Sequence, residues 1–313
     1  MRCFSMVVFV ALFCDSFVSG AMIKEGEQAV LNRDLRFAAD EGDLELVKEL
    51  VGKGAEINQY SIYNHPVPPG GPTLDEGELH RHYETQPLCE AVEKGRTAVV
   101  KWLVEHSADV NGRSGICGEP PLERAAWCNK AELIDYLIEH KADVNYGSKY
   151  GITALMSAAN AGRLPIFLKL FTLYDADPHL MDSCGRSALW HLFEGAAYRG
   201  WNEDRECMLK FLLKEKVNPN VHNTHKKTPL HFAASMDLQA CQLLVQAKAA
   251  VNIRDEDKWT PLDRAVYGYK RLRDRTMYDY LVECGADEHA KGNWGATPAQ
   301  QMKKLSRSKK GEE

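Results

Sequence analysis

Four side chains of one region could bind a metal ion: His65, His80, His82 and Cys89. Imidazole and thiolate are the usual zinc donors, and His80 and His82 stand two residues apart. A metal site also needs a closed ligand set, and this loose spacing defines no quartet. A metal-binding or metalloenzyme use of the insert 59–84 therefore stands as the chemical alternative. Stoichiometric zinc lost on His80→Ala would favour it. Elsewhere the sequence holds no GxSxG elbow, no phosphate-binding P-loop, no HExxH and no EF-hand loop. Carboxylates are abundant, but no spacing marks a pair as acid and base. The expectation is a chain that binds and does not catalyse, with no cofactor.

The elements that must position any binding residues are repeated. TPLHFAA at 228–234 returns in altered form as PPLERAA at 120–126, TALMSAA at 153–159 and TPLDRAV at 260–266. The leucines at the centre of this phrase are Leu35, Leu88, Leu122, Leu155, Leu189, Leu230 and Leu262, spaced 53, 34, 33, 34, 41 and 32 apart. A period of about 33 residues explains all six spacings. It requires one insert of about 20 residues between the first two copies and one of about 8 in the fifth.

Within each copy the pattern is helical. Three residues beyond the anchoring leucine stands an alanine in every copy but the fifth, which has Leu192. Seven beyond it come Gly42, Gly95, Asn129 and Gly162, residues suited to the positive φ of a helix-ending turn. A second apolar set follows at positions 11, 12, 15 and 16, for example Leu133, Ile134, Leu137 and Ile138. That spacing places four side chains on one helical face. Each unit reads as a turn, a short helix, a tight turn, a longer helix and a return loop. The insert of the fifth copy, around GAAYRGWNEDRE, falls between its two helices, with Asn202 or Asp204 as a cap. Such a unit cannot bury its apolar face alone, so copies must stack.

Period, phrase, turn glycine and second-helix pattern together resemble the ankyrin repeat, over about residues 30–302. The implied fold is an all-α solenoid of helix–turn–helix units joined by β-hairpin-like loops. The copies lie near 31–58, 84–111, 118–145, 151–178, 185–220, 226–252 and 258–289, with a partial cap at 295–302. The resemblance also implies a concave face, built from hairpin tips and the exposed ends of the first helices, that docks a protein partner. In the second and third copies those positions hold Tyr83, Glu119 and Trp127. In the fourth and fifth they hold Tyr150, Ile152 and Arg186. In the sixth and seventh they hold Lys227, Met236, Trp259 and Tyr267. Aromatic side chains set among charges are what interface anchors look like. The repeated scaffold supplies no pocket floor of its own.

Composition fits a globular chain of 313 residues, with 44% hydrophobic and 27% charged residues. A net charge of -5 gives no bulk electrostatic drive toward nucleic acid, and a monomer is expected. Arg2, the apolar run from Met6 to Phe13 and the small Ser19, Gly20 and Ala21 have the layout of a secretory leader over 1–20. That run is too short to span a bilayer. Seven scattered cysteines beyond it and the absence of an Asn-x-Ser/Thr sequon would equally suit a reducing compartment. Export to the medium or a secretory lumen is the expectation, with a cytoplasmic location as the alternative where the apolar run is not a leader. Residues 303–313 read as a basic disordered tail.

Overall fold

A computed structural model describes residues 18–59, 85–272, 274–292 and 295–307. Fifteen α-helices occur among them. They are accompanied by no strand and one isolated antiparallel bridge, Ser114 to Glu119. The chain divides into two compact units, Met1–Pro121 and Leu122–Glu313.

The first unit holds α1 (Val18–Glu41), α2 (Leu44–Gly52), α3 (Pro87–Lys94) and α4 (Thr97–Glu105). Gly42 and Gly95 take φ of 85° and 74° and end the first helix of each pair, as the spacing predicts. Asp43 then caps α2 by accepting from the Leu46 amide. The core is the predicted apolar set: Leu35, Val47 and Leu50 in one pair, Leu88, Val99, Val100 and Leu103 in the other. Position 16 is only half-buried in both pairs, at Val51 and Val104, and position 11 of the first copy, Leu46, is exposed. The first helix departs from expectation. It runs for 24 residues and takes in Ser19, Gly20 and Ala21. Residues 1–17, which carry the rest of the leader-like pattern, lie outside the described residues.

The second unit opens with α5 (Pro121–Trp127) and α6 (Ala131–Glu139), followed by α7 (Ala154–Ala161) and α8 (Leu164–Leu173). The fifth copy forms α9 (Ala188–Arg199) and α10 (Glu203–Lys214), and the sixth α11 (Pro229–Met236) and α12 (Leu238–Gln246). The seventh forms α13 (Pro261–Leu272) and α14 (Thr276–Glu283), and α15 (Pro298–Arg307) closes the row. First helices α7, α9, α11, α13 and α15 pack in series, and α6, α8, α10 and α12 pack in a second row.

The recurring phrase works as a cap. Thr228 and His231 form a capping box, with Pro229 at the first helical position, where its missing N–H costs nothing. Thr260 repeats this with Asp263, whose carboxylate accepts from the Thr260 amide at 2.8 Å. Thr297 does so with Gln300. The closing asparagines stitch copy to copy. Asn252 Oδ1 accepts from the Asp287 amide at 2.8 Å while its Nδ2 donates to Gly285 O. Asn145 accepts from Asp177 N and Asn220 from Ala250 N in the same way. The sixth copy's missing residue shows at Asp237, which ends α11 and also caps α12.

Two expectations are corrected. The fifth-copy insert is not an interhelical loop. It lengthens both helices to 12 residues and leaves only Gly200, Trp201 and Asn202 between them. No breaker interrupts GAAYR, so α9 gains a further turn, and Asn202 caps α10 by accepting from the Arg205 amide. Trp201 does not project; it stacks on Phe193 at 5.0 Å. Residues 303–307 are likewise the end of α15 and not a disordered tail, while 308–313 lie outside the described residues.

Candidate partner-binding face

In the second unit the hairpin loops and first helices share one construction. Seven residues before each anchor stands a short polar side chain that closes the loop. Ser148 Oγ accepts from Ile152 N, and Asp182 Oδ1 from Arg186 N. Asn223 Oδ1 accepts from Lys227 N, and Asp255 Oδ1 from Trp259 N. Neighbouring loops are joined by Ser183 N donating to Tyr150 O at 2.7 Å and Glu256 N to His225 O at 3.1 Å. Position -3 of each copy, at Ile152, Arg186, Lys227 and Trp259, is thereby fixed beside the first helices.

The extended α9 makes the fifth copy the centre of this face. Trp190, Glu194 and Tyr198 lie four residues apart and therefore share one stripe of the helix. Trp190 is almost fully covered. Its Nε1–H donates to Lys227 O at 3.0 Å, its ring meets Phe232 edge-on at 5.4 Å, and Arg186 lies 5.0 Å over its face. Tyr198 is 84% exposed. Between α9, α11 and α13 these side chains enclose a groove of about 380 Å³, lined also by Lys227, Phe232 and Arg264. The groove has the floor that repeat reasoning did not anticipate.

A polar network underlies it. Asp182 is buried and accepts from Arg186 Nε at 2.6 Å and His191 Nε2 at 3.0 Å. Burial alone would raise its pKa, but the His191 and Arg186 hydrogen bonds outweigh it and bring the carboxyl down to about 2. Burial would likewise lower His191, yet bonds to Asp182 and Glu194 leave its pKa raised. Glu194 bridges Arg186 Nη1 at 3.3 Å and Asn160 Nδ2 at 3.1 Å. His231 is the opposite case. Burial pushes it down to about 4, so the ring is neutral, with Nε2–H donating to Trp259 O and Nδ1 accepting from Thr228 N. Arg205 is buried with its guanidinium on the carbonyls of Ala159, Asn160 and Leu192. Burial lowers its pKa to about 10.

The predicted positions divide accordingly. Lys227 lines the groove, and Arg186 lies over the ring of Trp190, which also lines it. Trp259 carries Arg264 at 4.4 Å over its ring, Trp127 carries Arg199 at 4.8 Å, and neither tryptophan lines the groove. Tyr150 is exposed at a hairpin tip, and Ile152 is half-buried in its loop. Tyr267, 60% exposed, and the half-buried Met236 stand outside the groove lining. Glu119 belongs to the first unit, where its backbone pairs with Ser114. Tyr83, His65, His80 and His82 lie outside the described residues. Cys89, the remaining member of the metal alternative, is buried in α3 with its Sγ 3.9 Å from Glu119 O. Sequence reasoning missed Glu194, Tyr198, Arg199, Phe232 and Arg264. The available signal was the four-residue spacing of Trp190, Glu194 and Tyr198.

Comparison with known proteins agrees with this architecture. A family model described as ankyrin repeats (3 copies) matches residues 35–148, 88–182 and 193–292. A protein of Rickettsia bellii (strain RML369-C), described as an ankyrin repeat protein, is 31% identical over 90 residues. That match covers 26% of this chain and 26% of the relative's length. The family model spans well over half of the chain and coincides with the stacked helical pairs, so the chain belongs to the ankyrin repeat family.

Proposed function

We propose that this chain is a protein-interaction scaffold whose second unit docks a partner through the groove between α9, α11 and α13. Ankyrin repeats generally bind proteins, and the family is generally non-enzymatic. The observation that carries the reading is the exposed aromatic edge of the groove. Tyr198 stands 84% exposed opposite Phe232, over a floor held rigid by Trp190. Large aromatic side chains presented on an ordered frame bind at low entropic cost. The mechanism is shape and contact, without bond chemistry.

The test is partner capture from the native source by the full chain and by a Tyr198→Ala, Phe232→Ala double variant. Capture is expected to fall by tenfold or more, since central aromatic anchors carry ~2 kcal/mol or more each. Both chains should melt at similar temperatures. Undiminished capture would place the docking surface elsewhere.

The leader-like first 20 residues support export as a companion proposal, with the partner in the medium or a lumen. Its test is the intact mass of the native protein from cells and from medium. A species beginning near Ala21 or Met22 outside the cell is expected, and a cytosolic species that keeps Arg2 would overturn it.

A further inference from the structure

Arginines gather where the ends of α7 and α9 meet the start of α10, and none of them lines the groove. Arg205 of α10 is almost fully buried, its guanidinium fixed by the carbonyls of Ala159, Asn160 and Leu192. Arg199, the last residue of α9, donates to the same Asn160 carbonyl and to Asn160 Oδ1 at 3.1 Å, and lies over Trp127. Arg163 is the N-cap residue of α8 and follows Gly162, where a Cβ would stand 3.0 Å from Arg205 Nη2. Arg163 and Arg199 are exposed. Covering helix-end carbonyls accounts for Arg205. It does not account for Arg163, whose guanidinium has no hydrogen-bond or ion-pair partner among the described residues. The group also lacks a counter-charge. Burial lowers the pKa of Arg205 to about 10, and the charges that add to this are Arg199 and Arg163, all of one sign. Glu194 reaches Asn160 Nδ2 but is held by Arg186. Glu203 and Asp204, exposed in the first turn of α10, form no ion pair with the three among the described residues.

We infer that Arg163 and Arg199, set over the buried charge of Arg205, form an oxyanion site that takes the phosphoryl group of a phosphorylated serine or threonine side chain on a protein partner. The ligand chemistry follows from the planar fork of arginine, which meets phosphate oxygens in pairs, and from the near-double negative charge of a phosphoryl group at neutral pH. A carboxylate brings less charge and fewer acceptors. Arg163 and Arg199 supply the contacts, while Arg205, locked by its carbonyls and screened little by salt, supplies a fixed positive charge beneath them. The source follows from exposure. A free ion on two surface arginines stays largely hydrated, whereas a carrier chain adds contacts beyond the ion, and Trp127, 41% exposed under Arg199, stands ready for them. The site lies apart from the groove and does not depend on docking there.

The experiment uses the full chain and a pair of fluorescein-labelled peptide libraries with the same randomised flanks, one centred on phosphoserine and one on serine. Anisotropy is read for each, with inorganic phosphate as competitor. The phosphoserine library is expected to bind about tenfold or more tightly than its partner and to be displaced by phosphate, but not by chloride at equal ionic strength. Its affinity should fall about tenfold in Arg163→Ala and in Arg199→Ala, both at exposed positions, with melting temperatures close to the parent's. It should be unchanged in Arg254→Ala, an exposed arginine elsewhere in the second unit. Equal binding of the two libraries overturns the proposal, as does an equal loss in Arg254→Ala. Saturable binding of inorganic phosphate without preference for the phosphoserine library overturns the protein source and leaves a site for a free anion. Binding to vesicles of phosphatidylcholine with a phosphorylated inositol lipid, lost in Arg163→Ala and without library binding, overturns it in favour of a membrane. The Tyr198→Ala, Phe232→Ala chain should keep its phosphoserine preference, which separates failure of this site from failure of the groove.

Discussion

Gly195 of α9 packs directly on the backbone of Asn160 at the end of α7. A Cβ at Gly195 would stand 1.9 Å from the Asn160 carbonyl oxygen. The close approach brings two first helices together and holds Asn160 where Glu194, Arg199 and Arg205 can all bond to it. Gly195→Ala must therefore push the helices apart. Despite the gain in helix propensity, it should destabilise the chain by roughly 1–3 kcal/mol. Gly52→Ala, with nothing within 4 Å, is the control and should be neutral or slightly stabilising. Thermal melts of both variants check the contrast.

Stability should peak slightly below neutral pH, for two separate reasons. His231 is depressed in the fold to about 4, below its ordinary 6.5, so unfolding takes up a proton between those values. Its contribution is complete above about 6.5 and is lost as pH falls toward 4, on the order of 3 kcal/mol in all. His191 is raised, so its contribution is complete below 6.5 and is lost as pH rises through its folded pKa. The charged groups facing it are Asp182, Glu194 and Arg186. Urea unfolding across this range should show that His231→Asn flattens the acid arm and His191→Asn the alkaline one, each at some loss of overall stability.

The second helices end on left-handed residues, several of them not glycine. Ser107, Lys141, Lys216 and Lys248 hold φ between 59° and 72°, where Gly54 and Gly285 serve in other copies. An L-residue with a Cβ is strained there by about 1–2 kcal/mol. Lys248→Gly should stabilise by roughly 0.5–1 kcal/mol, offset in part by chain entropy. The Lys248 carbonyl that accepts from Asn220 stays in place. An unchanged or lowered denaturation midpoint would contradict this.

The flanking tryptophans should extend the docking face. Trp127 and Trp259 each carry an arginine, and the Trp259 backbone also binds Asp255 and His231. A Trp127→Ala, Trp259→Ala chain should keep its fold and lose tenfold or more in partner capture, measured by titration against a fixed amount of partner. Unaltered capture would confine the face to the central groove.

The scaffold was legible because its rules are local. Thr228 before Pro229 announces a cap, Gly42, Gly95 and Gly162 mark the turns, and Leu133 to Ile138 repeat along a helical face. The site was legible only in part, because it depends on distant partners. Asp182 looks like any loop aspartate until the fold brings His191 to it. Phe232 reads as part of the packing phrase, yet it edges the groove because Trp190 of the preceding copy lies against it. Tyr198 was obscured by taking the fifth-copy insert as a loop, when the uninterrupted GAAYR carries α9 one turn further.

The most direct test of the central claim places a photo-crosslinking amino acid at one of two exposed positions in the full chain. One is Tyr198 at the groove, and the other is Leu173 at the end of α8 in the second-helix row, 67% exposed. Irradiation in extract from the native source, followed by mass spectrometry, reads which position touches the partner. Adducts from the Tyr198 position and none from the Leu173 position are the predicted result. Adducts from Leu173 with none from Tyr198 would contradict docking in the groove.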